Sequence, residues 1–197
     1  MRSIAGIVTM WLALVLMTMP AAAEVADRLG IPGPIDFDGK TFELGWSAEP
    51  SPNYVKQEYV PAGQTVEAYK QILLVEVVGG GVSVKDAVAS QWAALDKRKS
   101  SDPLVNMEVL QHDATGEVLL DFIVSRKDDR GEYIVEWNAY RYAPYRSLAG
   151  ARGVLLFAVS HRAYGNQDAK AFLGGLKQLR PTQIGAMLRA PLPSPTR

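Results

Sequence analysis

The stretch Glu132-Tyr133-Ile134-Val135-Glu136-Trp137-Asn138-Ala139-Tyr140-Arg141-Tyr142 decides the fold. Tyr133, Val135, Trp137 and Ala139 fall on one side of an extended chain, and Glu132, Glu136 and Asn138 fall on the other. Tyr140 and Tyr142 continue the second, wetter side. A period of two among aromatic and β-branched residues marks a strand with one face on a core and one in water. Upstream, Asp113-Ala114-Thr115-Gly116 and Asp128-Asp129-Arg130-Gly131 are hairpin connections, each ending in a glycine suited to positive φ. They set off strands over 105–112 and 117–126, and a further strand follows over 154–161.

Further upstream, Ile72-Leu73-Leu74-Val75-Glu76-Val77-Val78 has the length and composition of one buried strand, ended by Gly79-Gly80-Gly81. Ser83 is an N-cap with Asp86 three residues on, the spacing of a capping box. Val84, Val88, Trp92 and Leu95 then recur at helical spacing, which predicts an amphipathic helix over about 84–99, closed by Asp102-Pro103. Two more strands, 42–46 and 56–60, lie on either side of Glu49-Pro50-Ser51-Pro52-Asn53. Ala169, Phe172, Leu173, Leu176 and Leu179 predict a second helix over 168–179, stopped by Pro181. The expected fold is α+β: a single domain, an antiparallel sheet of six to seven strands with two packed helices and no internal repeat.

The expected organisation is a signal peptide at 1–23, a lead-in at 24–40, the α+β domain at 41–180 and a Pro-rich mobile tail at 181–197. Arg2, the uncharged run from Ile4 to Met19, Pro20 and Ala21-Ala22-Ala23 follow the order of a secretory signal, with cleavage between Ala23 and Glu24. That run is shorter than the roughly 20 residues a spanning helix needs, although an uncleaved inner-membrane anchor is the alternative. Periplasmic localisation is expected. The chain has no cysteine, so an oxidising compartment brings it no disulfide, and thiolate nucleophiles and zinc-thiolate sites are excluded. Its 21 basic and 21 acidic residues cancel, which argues against bulk capture of nucleic acid.

Two motifs carry a resemblance. Glu58-Tyr59-Val60-Pro61-Ala62-Gly63-Gln64-Thr65-Val66-Glu67-Ala68-Tyr69-Lys70-Gln71-Ile72 joins a strand through a Pro-Gly turn to the next strand, and Ser160-His161-Arg162-Ala163-Tyr164-Gly165 ends the last one. Together they resemble small exported bacterial proteins of unassigned function, and the element order is similar to that of the PsbP/Mog1-type α/β sandwich. The resemblance implies fold and export and brings no catalytic residue.

The sequence carries few of the constellations that chemistry requires. His112 and His161 lack the spacing of a zinc motif and are too few for one. Ser160, His161 and Asp168 supply the residue types of a triad, but neighbouring strand residues point to opposite faces and no G-x-S-x-G elbow exists. The triglycine lacks Walker spacing, and Asp128, Asp129 and Glu132 lack an EF-hand pattern. Interleaved aromatic and basic residues stand out instead: Arg141, Tyr142, Tyr145, Arg146, Arg162 and Tyr164 are types enriched at binding hot spots. The expected function is therefore an exported, non-catalytic protein that needs no cofactor or metal and binds an envelope protein or component through region 140–164. The alternatives are an envelope hydrolase using a His–carboxylate pair, and a small-ligand carrier.

Overall fold

The computed structural model describes residues 25–112 and 114–196; the signal-peptide region, the Ala23/Glu24 cleavage pair and the turn residue Asp113 lie outside the described residues. Four strands come first: β1 (Ile35–Phe37), β2 (Lys40–Ser51), β3 (Tyr54–Pro61) and β4 (Gln71–Val78). Helix α1 (Val84–Arg98) follows, then β5 (Asn106–His112), β6 (Glu117–Lys127), β7 (Tyr133–Arg146), β8 (Arg152–Tyr164) and helix α2 (Asn166–Arg189). Every strand pairing is antiparallel, in the order β1-β2-β3-β4-β8-β7-β6-β5. Two four-stranded meanders thus meet at their last strands, where Val75 pairs with Phe157, and a helix follows each meander.

Among the described residues the sheet is single and antiparallel with two helices, but it has eight strands, not six to seven. The additional strand is β1, inside the expected lead-in. Its three residues pair with β2 through a two-residue turn in which Asp38 and Gly39 both take positive φ, 48° and 74°. That Asp-Gly turn has the conformation that matches strand twist in a hairpin. Phe37 then packs edge-on against Phe42 and Phe157, which fixes the lead-in to the core.

The expected wet side of β7 is also corrected. Each helix covers one face, so both sides of the sheet centre are buried. On one face Leu73, Val75, Trp137, Ala139 and Phe157 meet Ala186 and Met187 of α2. On the other, Ile72, Leu74, Leu120, Phe122, Tyr142 and Leu156 meet Leu95 of α1.

Pro181 does not stop α2, and residues 181–196 are not a free tail. A proline removes one helical hydrogen bond and costs about 3 kcal/mol in a helix interior. Contacts on both sides of it offset that loss. Arg180 donates to Asp121, which also accepts from Trp137 Nε1 at 2.6 Å, while Gln183, Ala186 and Met187 are buried beyond the proline. Arg141 Nη1 donates to the Met187 and Ala190 carbonyls at 2.9 and 2.8 Å, satisfying acceptors that the helix end leaves open. Past Ala190 the chain has no regular structure, yet Leu192 packs on the core and Thr196 N donates to Leu29 O at 2.9 Å.

Candidate functional site

Helix α1 begins as the capping box requires, with Ser83 Oγ accepting from Asp86 N at 3.1 Å. From there Val84, Ala87 and Val88 of its first turns pack against the core on that face of the sheet. A cleft of about 550 Å³ opens between them and strands β3, β4, β7 and β8. Val78, Val82, Ala87, Val154 and Leu156 form its apolar walls. Asp86, Ser90 and Gln91 of α1 line the helix side.

Glu76, Tyr54, Tyr140 and Tyr142 supply the polar groups on the sheet side. They share one face because Tyr54 pairs with Val78 and Lys56 with Glu76 across β3 and β4, while Tyr140 and Tyr142 alternate along β7. Glu76 is 9 % exposed. It accepts from Tyr54 Oη at 2.7 Å and stands 3.7 Å from Lys56 Nζ, which lies closer to Glu58, at 2.8 Å. Burial raises the Glu76 carboxyl above the ordinary range, against the opposing pull of Lys56 and the Tyr54 hydroxyl. Burial, and then the Glu76 charge, raise the phenols of Tyr54, Tyr140 and Tyr142, so all three are neutral donors at physiological pH. The Tyr140 and Tyr142 rings stand 6.4 Å apart, and neither hydroxyl hydrogen-bonds a described residue. The cleft therefore holds two phenol donors that no described residue engages, together with a buried carboxylate.

The structure separates the six aromatic and basic residues singled out from sequence. Tyr142 alone among them lines this cleft. Arg141 is on the α2 face, bonded to Glu117 at 2.7 Å and to the end of α2. Tyr145 packs at the edge of the α2-face core, and Arg146 is exposed at the β7–β8 hairpin, donating to Gly150 O at 3.3 Å. Arg162 and Tyr164 do come together, but inside the fold. Arg162 stacks 4.0 Å over the Tyr69 ring and donates to Glu136 at 2.5 Å, and Tyr164 Oη donates to Tyr69 O at 3.0 Å. That network holds the 62–70 loop against the sheet.

The histidines are three strands apart in the sheet order. His112, on edge strand β5, contacts Thr115 Oγ1 at 2.8 Å. His161 lies on the α2 face, where Gln183 donates to Asp38 at 2.7 Å and so turns its Oε1 toward His161 Nε2, at 3.1 Å. Burial holds the His161 imidazole below its ordinary range. Ser160 is on the opposite face, donating to Asn138 Oδ1 at 2.5 Å, so no triad assembles. Among the described residues no group of three or more His, Asp or Glu side chains is placed to hold a metal.

A second groove, about 670 Å³ along the far side of α1 beside Trp92 and Val109, is wider. Its acidic and imidazole groups are already engaged, Glu117 by Arg141 and His112 by Thr115. Glu76 and Tyr54 were missed as site residues from sequence, and Tyr140 entered only as the first residue of region 140–164. The available signal was Glu76 itself, a lone charge within an apolar β-branched run.

A family model matches residues 29–192. The chain belongs to that uncharacterised family. No curated protein and no solved structure matches the chain. The matched span runs from Leu29 to Leu192, both packed in the α2-face core, and takes in every residue of the cleft. Among the described residues no helix is long and apolar enough to cross a membrane.

Proposed function

We propose that this is an exported, non-catalytic binding protein that holds a small amphiphilic ligand in the cleft between α1 and the sheet. The observation that carries this reading is the pair of Tyr140 and Tyr142 hydroxyls, which hydrogen-bond no described residue, in a cleft walled by Val78, Val82, Ala87, Val154 and Leu156. Pockets of several hundred Å³ with apolar walls and a few placed polar groups are the usual form of small-ligand sites. Export rests on the signal-like order of residues 1–23, and the periplasm is the compartment it implies. The likeness in element order to PsbP/Mog1-type sandwiches enters as architecture only, a sheet between helices. An envelope protein as the partner of region 140–164 has less support, because five of its six named residues lie away from the cleft.

The test uses the neutral fluorescent probe N-phenyl-1-naphthylamine with the purified chain and an Ala87→Phe variant, which fills the cleft from the α1 side. Saturable one-to-one binding that the variant abolishes, with its melting temperature kept, supports the proposal. Unsaturable binding, or binding unchanged in Ala87→Phe, overturns it.

A further inference from the structure

The charges around the cleft narrow the ligand class. Glu76 and Asp86 are the ionisable side chains other than tyrosine in its lining, and both are acidic. Lys56, the cation paired with Glu76, is shared with Glu58, so that group of three carries one net negative charge when both carboxylates are ionised. An anion entering here would lose its water and meet carboxylates without a free cation, which is costly. A positive group would meet a largely desolvated carboxylate, hydrogen-bonded by Tyr54, in a cleft that Tyr140 and Tyr142 also line. Aromatic faces and a carboxylate together are the recognition chemistry of ammonium groups, and their attraction grows as water is excluded. The tyrosine hydroxyls add oxygen lone pairs that an N–H donor can use.

We infer that the cleft binds a cationic amine with an apolar body, its ammonium seated at Glu76 among Tyr54, Tyr140 and Tyr142 and its apolar part along Val154 and Leu156. This rests on the proposed binding cleft and adds the sign and position of the ligand's charge. The apolar walls supply affinity that does not depend on charge, and Glu76 supplies the discrimination.

The experiment displaces the bound naphthylamine probe with three molecules of one shape and different charge: 4-phenylbutylamine, 4-phenylbutanol and 4-phenylbutyrate. The amine is expected to displace it at about one tenth of the alcohol's concentration or less, with the carboxylate weakest. Glu76→Gln should erase the amine's advantage over the alcohol. Should Glu76→Gln fold poorly, Tyr140→Leu removes one ring while keeping apolar bulk, and is expected to narrow the same gap. Equal or better displacement by the alcohol or the carboxylate overturns the inference while the binding cleft stands. An amine advantage that survives in both variants places the charge elsewhere and also overturns it. A probe that does not bind at all removes the cleft reading and this inference together.

Discussion

Gly153, at the start of β8, shows how one residue can limit a sheet. A Cβ added there would lie 2.3 Å from the Val78 carbonyl oxygen and 3.0 Å from the Gly79 Cα, both backbone atoms that cannot rotate away. The two central strands approach so closely because this position has no side chain. Gly153→Ala is expected to destabilise the chain by about 1–3 kcal/mol, the range of an overpacked interior. Gly174 in α2 has open space around its would-be Cβ, so Gly174→Ala should stabilise by up to about 1 kcal/mol through helix propensity. Urea denaturation of both variants checks the pair; a Gly153→Ala protein as stable as the parent would show that β4 and β8 can move apart freely. Nothing in the sequence distinguished these glycines, because what separates them is a neighbour on a distant strand.

At the level of elements, α1 was legible and α2 was not fully so. The start of α1 is written locally, in Ser83 and Asp86, and the helix begins where those residues place it. The end of α2 depends on Arg141, a strand residue whose guanidinium reaches the last turn. Local rules read Pro181 as a stop; burial of Met187 and the carbonyl contacts from Arg141 carry the helix through it. Arg141→Ala also leaves the mostly buried Glu117 carboxylate without its partner. Losing these charge-assisted bonds is expected to cost about 2–3 kcal/mol. The distinctive readout is hydrogen exchange, which should quicken over 186–190 more than in α1. Uniform quickening across the sheet would mean that Arg141 acts through general stability instead of as a cap. Strand β1 was missed for the opposite reason. Asp38-Gly39 is a strong local hairpin signal, but it follows a proline-rich run and closes a strand of only three residues.

For the whole molecule, stability against pH reflects buried groups drawn from both faces. The His161 imidazole titrates below its ordinary value of 6.5 in the fold because burial disfavours its charge. As pH falls below that value, the unfolded chain takes up a proton that the folded one refuses, so stability drops. Glu76 acts in the other sense: its raised value means the fold holds that proton more readily, and acidification toward 4.5 recovers stability. Asp102 is also buried, which alone would raise it, but hydrogen bonds from Ser125 and Arg98 hold it below 3.8. Its contribution is kept above that value and lost only in stronger acid. Between pH 7 and 5 the His161 loss is expected to be visible in the melting temperature, and His161→Gln should flatten the decline. Identical profiles for the two proteins would remove His161 from the account. The sequence alone determined the α+β class, the antiparallel meanders, the first helix and the absence of thiol chemistry, because those follow from local periodicity, turn residues and composition. The tertiary structure decided the strand count, the true end of α2, the burial of both sheet faces and the cleft. Those depend on which strands lie side by side and which helix covers which face. Pairing β8 with both β4 and β7 sets Glu76 and Tyr142 on either side of Leu156 on one face, and no spacing along the chain encodes that meeting.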